Sequence, residues 1–224
     1  MEKRVRIGLV DSGCSQEQFV HCAGSAAFVL DGDNVNTLPA TADSLCHGSR
    51  VAAILLHVAP QAELVVAQVF RERLTTSAAQ VAAAIDWLLG REVAVINLSL
   101  GLREARPVLG QACARALQAG AVLCASAPAH GAPVYPAAFP GILRVTGDAR
   151  CALGEIAAIG AAHADFGAHV MPLDGDMRAA GASMACAHLS AQAARHFSTG
   201  GDATSLRAAL AAQARYHGID RPGR

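Results

Sequence analysis

The chain has 224 residues, of which 53% are hydrophobic and 16% are charged, and its formal net charge is +0. This length and hydrophobic content suffice for one large domain with a sizeable core, and they exclude an intrinsically disordered chain. The balanced charge lacks the basic stripe typical of nucleic-acid-binding proteins, and no apolar run reaches the roughly 18–20 residues of a membrane-spanning helix.

The first residues and the cysteines give an expectation about cellular location. A charged start, residues 1–4, leads into a short apolar run that already ends at Asp11, so this run is too short for a signal-peptide core. The seven cysteines are odd in number and contain no C-x-x-C pair, which argues against a disulfide framework and a zinc knuckle. We therefore expect a cytoplasmic protein.

Apolar, β-branched runs alternate with segments of helical periodicity along the chain. The predicted strands are 5–10, 63–70, 93–97, 121–125 and 142–146, and the predicted helices are 48–56, 77–89, 108–119, 183–197 and 205–214. This alternation predicts an α/β fold: a single domain with a mostly parallel sheet and helices on both faces. We expect residues 1–216 to form this domain and residues 217–224 to form a C-terminal tail.

Four short segments carry the residue types of nucleophilic catalysis. Asp11-Ser12-Gly13 follows the first predicted strand, and His47-Gly48-Ser49 opens a helix. Asn97-Leu98-Ser99-Leu100-Gly101 ends an apolar strand, and Gly181-Ala182-Ser183 opens another helix. A serine hydroxyl needs a base such as histidine to take its proton, and a carboxylate fixes the tautomer of that histidine. We expect these segments to meet at one edge of the sheet.

In this order the segments resemble the subtilisin-like serine proteases, or subtilases, with their D-[ST]-G, H-G-T-x-V-A and G-T-S-M-A motifs. Residues 58–63 are similar to the V-A-P-x-A segment of the family, and residues 134–137 to its V-x-Y-P-A stretch. The resemblance implies a subtilisin-like fold and a serine endopeptidase. In it Ser183 attacks the peptide bond, His47 shuttles the proton and Asp11 orients the imidazole.

The resemblance also implies a groove that pairs with an extended peptide or protein substrate by strand addition. The residues expected to line it are Ser99, Leu100, Gly101, Ala125, Ser126 and Ala127. A purely structural alternative remains for the first three, since an ordinary strand-to-helix turn has the same composition.

The sequence departs from the family at the oxyanion segment. The family carries an asparagine in A-A-G-N, whose side chain donates to the oxyanion, whereas Pro128 stands at that position and has no donor. In subtilisin, loss of this donor costs on the order of 10²–10³ in kcat. We expect impaired catalysis, with the Ser183 N–H as one donor and Ser126 or His130 as candidates for the second. For His130 the simpler interpretation, a loop histidine, is favoured over a donor role.

No metal or cofactor is expected. Asp174 and Asp176 form a small acidic loop, but two carboxylates fall short of the oxygen cage that calcium requires. The remaining histidines lack the spacing of a metal site.

The short chain favours a dedicated intracellular processing protease for leader-peptide removal. It is similar to the subtilases that remove the leader peptide from the small subunit of quinohemoprotein amine dehydrogenase. Two alternatives stay open: a catalytically impaired escort protein that binds an extended peptide, and an esterase that uses the same triad. We expect no nucleic-acid partner and no membrane insertion, and the sequence leaves open whether a partner protein delivers the substrate.

Overall fold

The computed structural model describes residues 4–220. The strands are β1 (Arg6–Asp11), β2 (Cys22–Asp31), β3 (Asn34–Leu38), β4 (Glu63–Gln68), β5 (Val95–Leu98), β6 (Val122–Ser126), β7 (Leu143–Gly147), β8 (Ile156–Ala158), β9 (Phe166–Ala168) and β10 (Tyr216–His217). The α-helices are α1 (His47–Val58), α2 (Ala78–Leu89), α3 (Pro107–Gln118), α4 (Ala182–Ser198) and α5 (Ala203–Gln213). Two short 3-10 helices span Glu17–His21 and Met177–Ala179.

The strands form one ten-stranded sheet in the order β10-β8-β9-β7-β6-β5-β1-β4-β2-β3. The pairs β2–β3 and β8–β9 are antiparallel, and the other pairings are parallel. The predicted α/β class with a mostly parallel sheet is confirmed.

Hydrophobic residues cover both faces of the sheet, and β4 illustrates how. Leu64 and Val66 belong to the core cluster that contains α1, α4 and α5, whereas Val65 and Ala67 belong to the cluster that contains α2 and α3. Successive strand residues point to opposite faces, so a strand covered on both sides is apolar throughout. The continuous apolar run therefore follows from burial on two faces.

The strand order reverses at β1, which lies between β4 and β5. The chain passes from β1 to β4 on one side and then crosses through α2 to β5 on the other side. In open α/β sheets, ligands bind outside the carboxyl ends of the strands at such a reversal. Asp11 is the last residue of β1, so it lies at this point.

The strands and helices of the central part were predicted to within a few residues, but two regions were missed. The β2–β3 hairpin was not predicted, and neither were the short strands β8, β9 and β10 near the other edge of the sheet. At the C-terminus, β10 pairs with β8, and Arg150 Nη2 donates to the Gly218 carbonyl oxygen at 2.9 Å. The domain boundary at residue 216 stays a prediction, and residues 1–3 and 221–224 lie outside the described part of the chain.

Candidate active site

Asp11 is fully buried at the carboxyl end of β1, and its carboxylate accepts several hydrogen bonds on one oxygen. The backbone N–H of Ser12 donates to Oδ1 at 2.7 Å, and His47 Nδ1 lies 2.7 Å from the same oxygen. The second oxygen, Oδ2, is buried without a hydrogen-bond partner among the described residues. The carboxylate is therefore held in one orientation, directed at the His47 ring.

His47 is the first residue of α1, and close backbone packing brings this helix start to the Asp11 loop. A Cβ atom on Gly48 would lie 2.2 Å from the Gly13 carbonyl oxygen, so only glycine permits this approach. The Gly48 N–H donates to Ser12 Oγ at 2.8 Å, which ties the helix start to the residue after Asp11. The H-G pair and the D-S-G triplet are thus complementary parts of one packing contact.

Asp43 holds the other side of the α1 start. Its Oδ2 accepts from the backbone N–H and the hydroxyl of Ser49, each at 2.8 Å, and its Oδ1 accepts from the backbone N–H groups of Leu45 and Cys46. A carboxylate is favourable at a helix N-terminus, where backbone N–H groups lack partners. The orientation of His47 is therefore fixed from two directions.

The pKa of His47 is raised above its ordinary value of 6.5. Burial is the largest single influence and lowers the pKa, but the charge of Asp11 and its hydrogen bond together outweigh it. Asp43 raises the pKa further, and Arg50 lowers it. Because Nδ1 faces Asp11, the neutral ring keeps its proton there and leaves Nε2 free to accept one.

Ser183 lies in the first turn of α4, where free backbone N–H groups and the positive end of the helix dipole are available. Its hydroxyl donates to the Ser99 carbonyl oxygen at 3.3 Å, a long hydrogen bond. Catalytic hydrogen bonds are often absent or long before substrate binds. The predicted role of Ser183 as nucleophile would require this hydroxyl to turn from Ser99 toward His47 Nε2.

A buried polar chain fixes the backbone around Ser183. Ser99 Oγ donates to the Ser183 carbonyl oxygen at 2.9 Å and accepts from Asn97 Nδ2 at 3.0 Å. Ser190 lies seven residues after Ser183 on α4, and its Oγ donates to Asn97 Oδ1 at 2.9 Å. The end of β5 and the start of α4 are thus held in one register.

His47 and Ser183 line the same open cleft, which has a volume of about 370 Å³. Four of the predicted substrate or oxyanion residues also line it: Ser99, Leu100, Gly101 and Ser126. Sequence reasoning missed the other lining residues, which are Phe70, Leu74, Thr75, Thr76 and Leu102. Most of these residues follow β4. Their position after a buried strand that ends on the same sheet edge is a feature of the sequence from which they could have been predicted.

Two of the predicted groove residues are buried in the sheet layer instead. Ala125 is fully buried, and Ala127 is 3% exposed. Both residues belong to the hydrophobic core cluster that contains residues of α2 and α3. Among the described residues that line the cleft, β6 therefore contributes only Ser126.

The two remaining oxyanion candidates lie apart from the cleft lining. Pro128 lines a separate depression together with Pro133 and Val134, and His130 is exposed. Ser126 Oγ donates to the Leu100 carbonyl oxygen at 3.3 Å. Of the candidates named from sequence, Ser126 is thus the one whose hydroxyl lies at the cleft.

An ion-pair brace joins the His47 helix to the loop that precedes Ser183. Arg50 Nε lies 2.7 Å from Asp174 Oδ2, and Arg50 Nη2 lies 2.9 Å from Asp176 Oδ2. The Arg178 guanidinium, followed by its backbone N–H, lowers the pKa of Asp176 to about 2. The acidic loop therefore pairs with arginines, and Arg50 is a positioning residue that the sequence reasoning overlooked.

The other buried histidine, His188 of α4, has no hydrogen-bond partner for either ring nitrogen among the described residues. Burial, reinforced by the charges of His169 and His57, lowers the pKa of His188 to about 4. Over residues 4–220, no group of three or more His, Cys, Asp or Glu side chains is arranged to hold a metal ion. The same span contains no helix with the length and apolar character needed to cross a membrane.

Comparison with known proteins places this geometry in a family. The model of the subtilase family matches residues 2–221. A thermostable alkaline protease of Halalkalibacterium halodurans is 30% identical over 151 residues, which covers 62% of this chain and 40% of that protein. The match thus spans less than half the length of that relative.

Solved structures agree on the fold. The prenylagaramide maturation protease PagA superposes with a TM-score of 0.66 and 20% identity, covering 92% of this chain and 82% of that one. The protease domain of PatA gives a TM-score of 0.68 and 19% identity, covering 91% and 84%. At this identity the superpositions establish a shared fold. With the family match over residues 2–221, they lead to one conclusion: the chain belongs to the subtilase family of serine proteases.

Proposed function

We propose that this subtilase is a serine endopeptidase that hydrolyses peptide bonds through an acyl-enzyme, with Asp11, His47 and Ser183 as its catalytic triad. One observation carries the proposal: His47 Nδ1 lies 2.7 Å from Asp11 Oδ1, while His47 and Ser183 line one cleft. A histidine oriented by a buried carboxylate beside a serine at a helix N-terminus is the arrangement that activates a hydroxyl.

The reaction follows from these positions. Ser183 Oγ attacks the carbonyl carbon of the scissile bond as His47 Nε2 takes the hydroxyl proton, and the Asp11 carboxylate stabilises the imidazolium. His47 then gives the proton to the departing amine, which leaves an ester on Ser183. Water enters, gives a proton to His47 and attacks the ester carbon. His47 then returns this proton to Ser183 Oγ as the ester bond breaks, which releases the carboxylic acid product and restores the hydroxyl. The Ser183 N–H donates to the oxyanion, and we assign the second donation to the Ser126 hydroxyl.

An extended peptide is the substrate that fits the cleft. Ser99, Leu100 and Gly101 follow the end of β5 and line the cleft, which is the position that strand addition of a peptide would use. Beyond Leu102, the surface continues into a second depression of about 500 Å³ at the starts of α2 and α3. This continuity favours a substrate segment of several residues over a small ester.

Within this class of substrate, we place the protein among processing proteases that remove a leader peptide from a precursor, acting in the cytoplasm. PagA, a fold neighbour, is a maturation protease. All seven cysteines are free thiols, which favours a reducing compartment. Quinohemoprotein amine dehydrogenase precursors are one type of substrate to assay, and a partner protein that presents the precursor is compatible with the open cleft.

A second candidate function is supported by the oxyanion segment. Pro128 replaces the family asparagine and lines a different depression, so the strongest side-chain donor of the family is missing. A protein that binds an extended peptide without cutting it fits this loss. Retention of a hydrogen-bonded Asp11–His47 pair fits turnover instead, because peptide binding alone does not need it.

A peptidase assay with an internally quenched peptide library, run on the wild type and on Ser183→Ala, separates the two functions. We expect turnover by the wild type, and we expect Ser183→Ala to bind the same peptides with unchanged affinity and to lose turnover by a factor on the order of 10⁶. Peptide binding without turnover in the wild type would support the second function, an escort protein that binds an extended peptide without cutting it. Turnover retained in Ser183→Ala would refute the assignment of Ser183 as the nucleophile.

A further inference from the structure

Two thiols outside the cleft are in contact. Cys14 Sγ lies 3.7 Å from Cys22 Sγ, and neither cysteine belongs to the proposed triad or lines the cleft. Cys14 is fully buried, whereas Cys22 is partly exposed at the start of β2. Both are free thiols. The pair therefore combines a partly exposed cysteine with a buried one.

The backbone on both sides of the pair is anchored. The Cys14 carbonyl oxygen accepts from the Asp43 N–H at 3.0 Å, and Cys22 pairs in register with Leu64 of β4. The short 3-10 helix Glu17–His21 connects the two cysteines. A disulfide needs the sulfurs at about 2.05 Å, so closure from the present contact requires side-chain rotation and a small approach rather than refolding.

The two thiols differ in acidity in the way that thiol–disulfide exchange requires. The hydrogen bond from the Cys14 thiol lowers the pKa of Cys22, although burial opposes this. The same contact with Cys22, together with burial, raises the pKa of Cys14. The thiolate is the attacking species, so Cys22 is the sulfur that reacts first and Cys14 is the one that resolves.

We propose that Cys14 and Cys22 form a redox-sensitive dithiol that glutathione disulfide converts into an intramolecular disulfide. The Cys22 thiolate attacks one sulfur of glutathione disulfide, which forms a mixed disulfide and releases one glutathione thiolate. That thiolate takes the proton of the Cys14 thiol. Cys14 Sγ then attacks Cys22 Sγ, forms the protein disulfide and releases the second glutathione as thiolate. Counted from the two thiols, the protein loses two protons and two electrons, and glutathione disulfide takes them up to become two glutathione thiols.

Formation of the Cys14–Cys22 disulfide would restrict the segment that follows Asp11. Gln18 lies between the two cysteines, and its Nε2 donates to the Ser49 carbonyl oxygen of α1 at 2.9 Å. A cross-link across this short loop restricts the unfolded chain and holds the loop against α1. Oxidised protein should therefore melt at a temperature several degrees higher than reduced protein, and a strong reductant should reverse the shift.

The experiment is intact-mass spectrometry of the full chain before and after incubation with glutathione disulfide, followed by alkylation and peptide mapping. We expect the loss of two hydrogens and a cross-linked pair of peptides that contain Cys14 and Cys22. Cys46→Ser is the matched control, because Cys46 is an exposed free cysteine that is not a member of the pair. This variant should still form the cross-link, and Cys22→Ser should not.

Other outcomes overturn the proposal. It is wrong if Cys22 stops at the mixed disulfide with glutathione, if Cys14 and Cys22 are both alkylated after oxidation, or if another cysteine pair is cross-linked. Cys14 is buried, so Cys14→Ser risks misfolding. In folded Cys14→Ala protein, the expected product is the mixed disulfide on Cys22, and its absence also contradicts the assigned order of attack.

Discussion

The two halves of the candidate active site differ in how firmly they are built. On the proton-transfer side, the Ser12 N–H and His47 Nδ1 each lie 2.7 Å from Asp11 Oδ1, and the Gly48 N–H donates to Ser12 Oγ at 2.8 Å. On the oxyanion side, Ser126 makes one long hydrogen bond of 3.3 Å, and Pro128 faces another depression. The chain keeps the family motif at the residues proposed for proton transfer and departs from it at the proposed oxyanion segment.

This contrast indicates how much substitution each half of the candidate site tolerates. Proton transfer depends on angles and distances that tolerate little change, so its residues are fixed by packing and by backbone contacts. Oxyanion stabilisation needs only a donor at the right place, which a backbone N–H or a hydroxyl from another residue supplies. Substitution at four positions tests the two halves separately.

Asp11→Asn should have the largest effect, a loss of about 10⁴ in kcat, because an amide neither stabilises the imidazolium nor fixes the Nδ1–H tautomer. Steady-state kinetics on a chromogenic peptide measures it. Asp148→Asn is the matched control, since Asp148 is also a buried carboxylate but pairs with Arg150 away from the cleft. Folded Asp11→Asn protein with activity within tenfold of the wild type would contradict the triad.

Ser126→Ala should lower kcat by about 10² with little change in KM, because a donor that acts only on the transition state is removed. Ser44→Ala provides the comparison, as the Ser44 hydroxyl donates to the Arg71 carbonyl oxygen at an exposed site outside the cleft lining. Equal rates for the two variants would show that another group completes the oxyanion site.

Arg50→Met should lower kcat several-fold and move the acid limb of the pH profile to higher pH. The Arg50 charge lowers the pKa of His47, so its removal lets that pKa rise further and keeps the ring protonated to higher pH. Arg178→Met also breaks a pair with Asp176 but removes no charge that acts on His47. A pH profile of kcat/KM that shifts equally in both variants would rule out the brace as a positioning device.

Pro128→Asn should have the smallest effect, with kcat unchanged within about twofold, far below the roughly 10²–10³ that a working oxyanion donor contributes. The reason is that Pro128 lines the depression with Pro133 and Val134, from which a new amide does not face the cleft. A rise of tenfold or more in kcat would show that the loop presents this position to the substrate after all.

Much of the fold was predictable, because apolar runs buried on two faces and amphipathic helices leave strong patterns. The β2–β3 hairpin was overlooked even though Asp31-Gly32 is a turn signal, since β2 carries small residues and lacks a regular alternation. Strands such as β8 and β9 have three residues each, too few to show any period. They exist because they pair with each other, and because β9 also pairs with β7 and β8 also pairs with β10.

The candidate site was predictable to a similar degree. Asp11, His47 and Ser183 stand in motifs whose order is specific, whereas Thr75 and Thr76 reach the cleft only through the path of the loop after β4. Arg50 was overlooked because its partners, Asp174 and Asp176, are distant in sequence and meet it only in the folded chain. Side chains that act through tertiary contacts leave no local pattern.

The most direct test of the proposed triad is the rate of labelling by a fluorophosphonate probe as a function of pH, with the labelled residue identified by mass spectrometry. The label should be on Ser183, and the rate should rise with pH through a single ionisation above 6.5, because the Asp11 carboxylate raises the pKa of His47 and only the neutral ring accepts the hydroxyl proton. A label on another residue, or a rate on Ser183 that does not change with pH, would contradict the account.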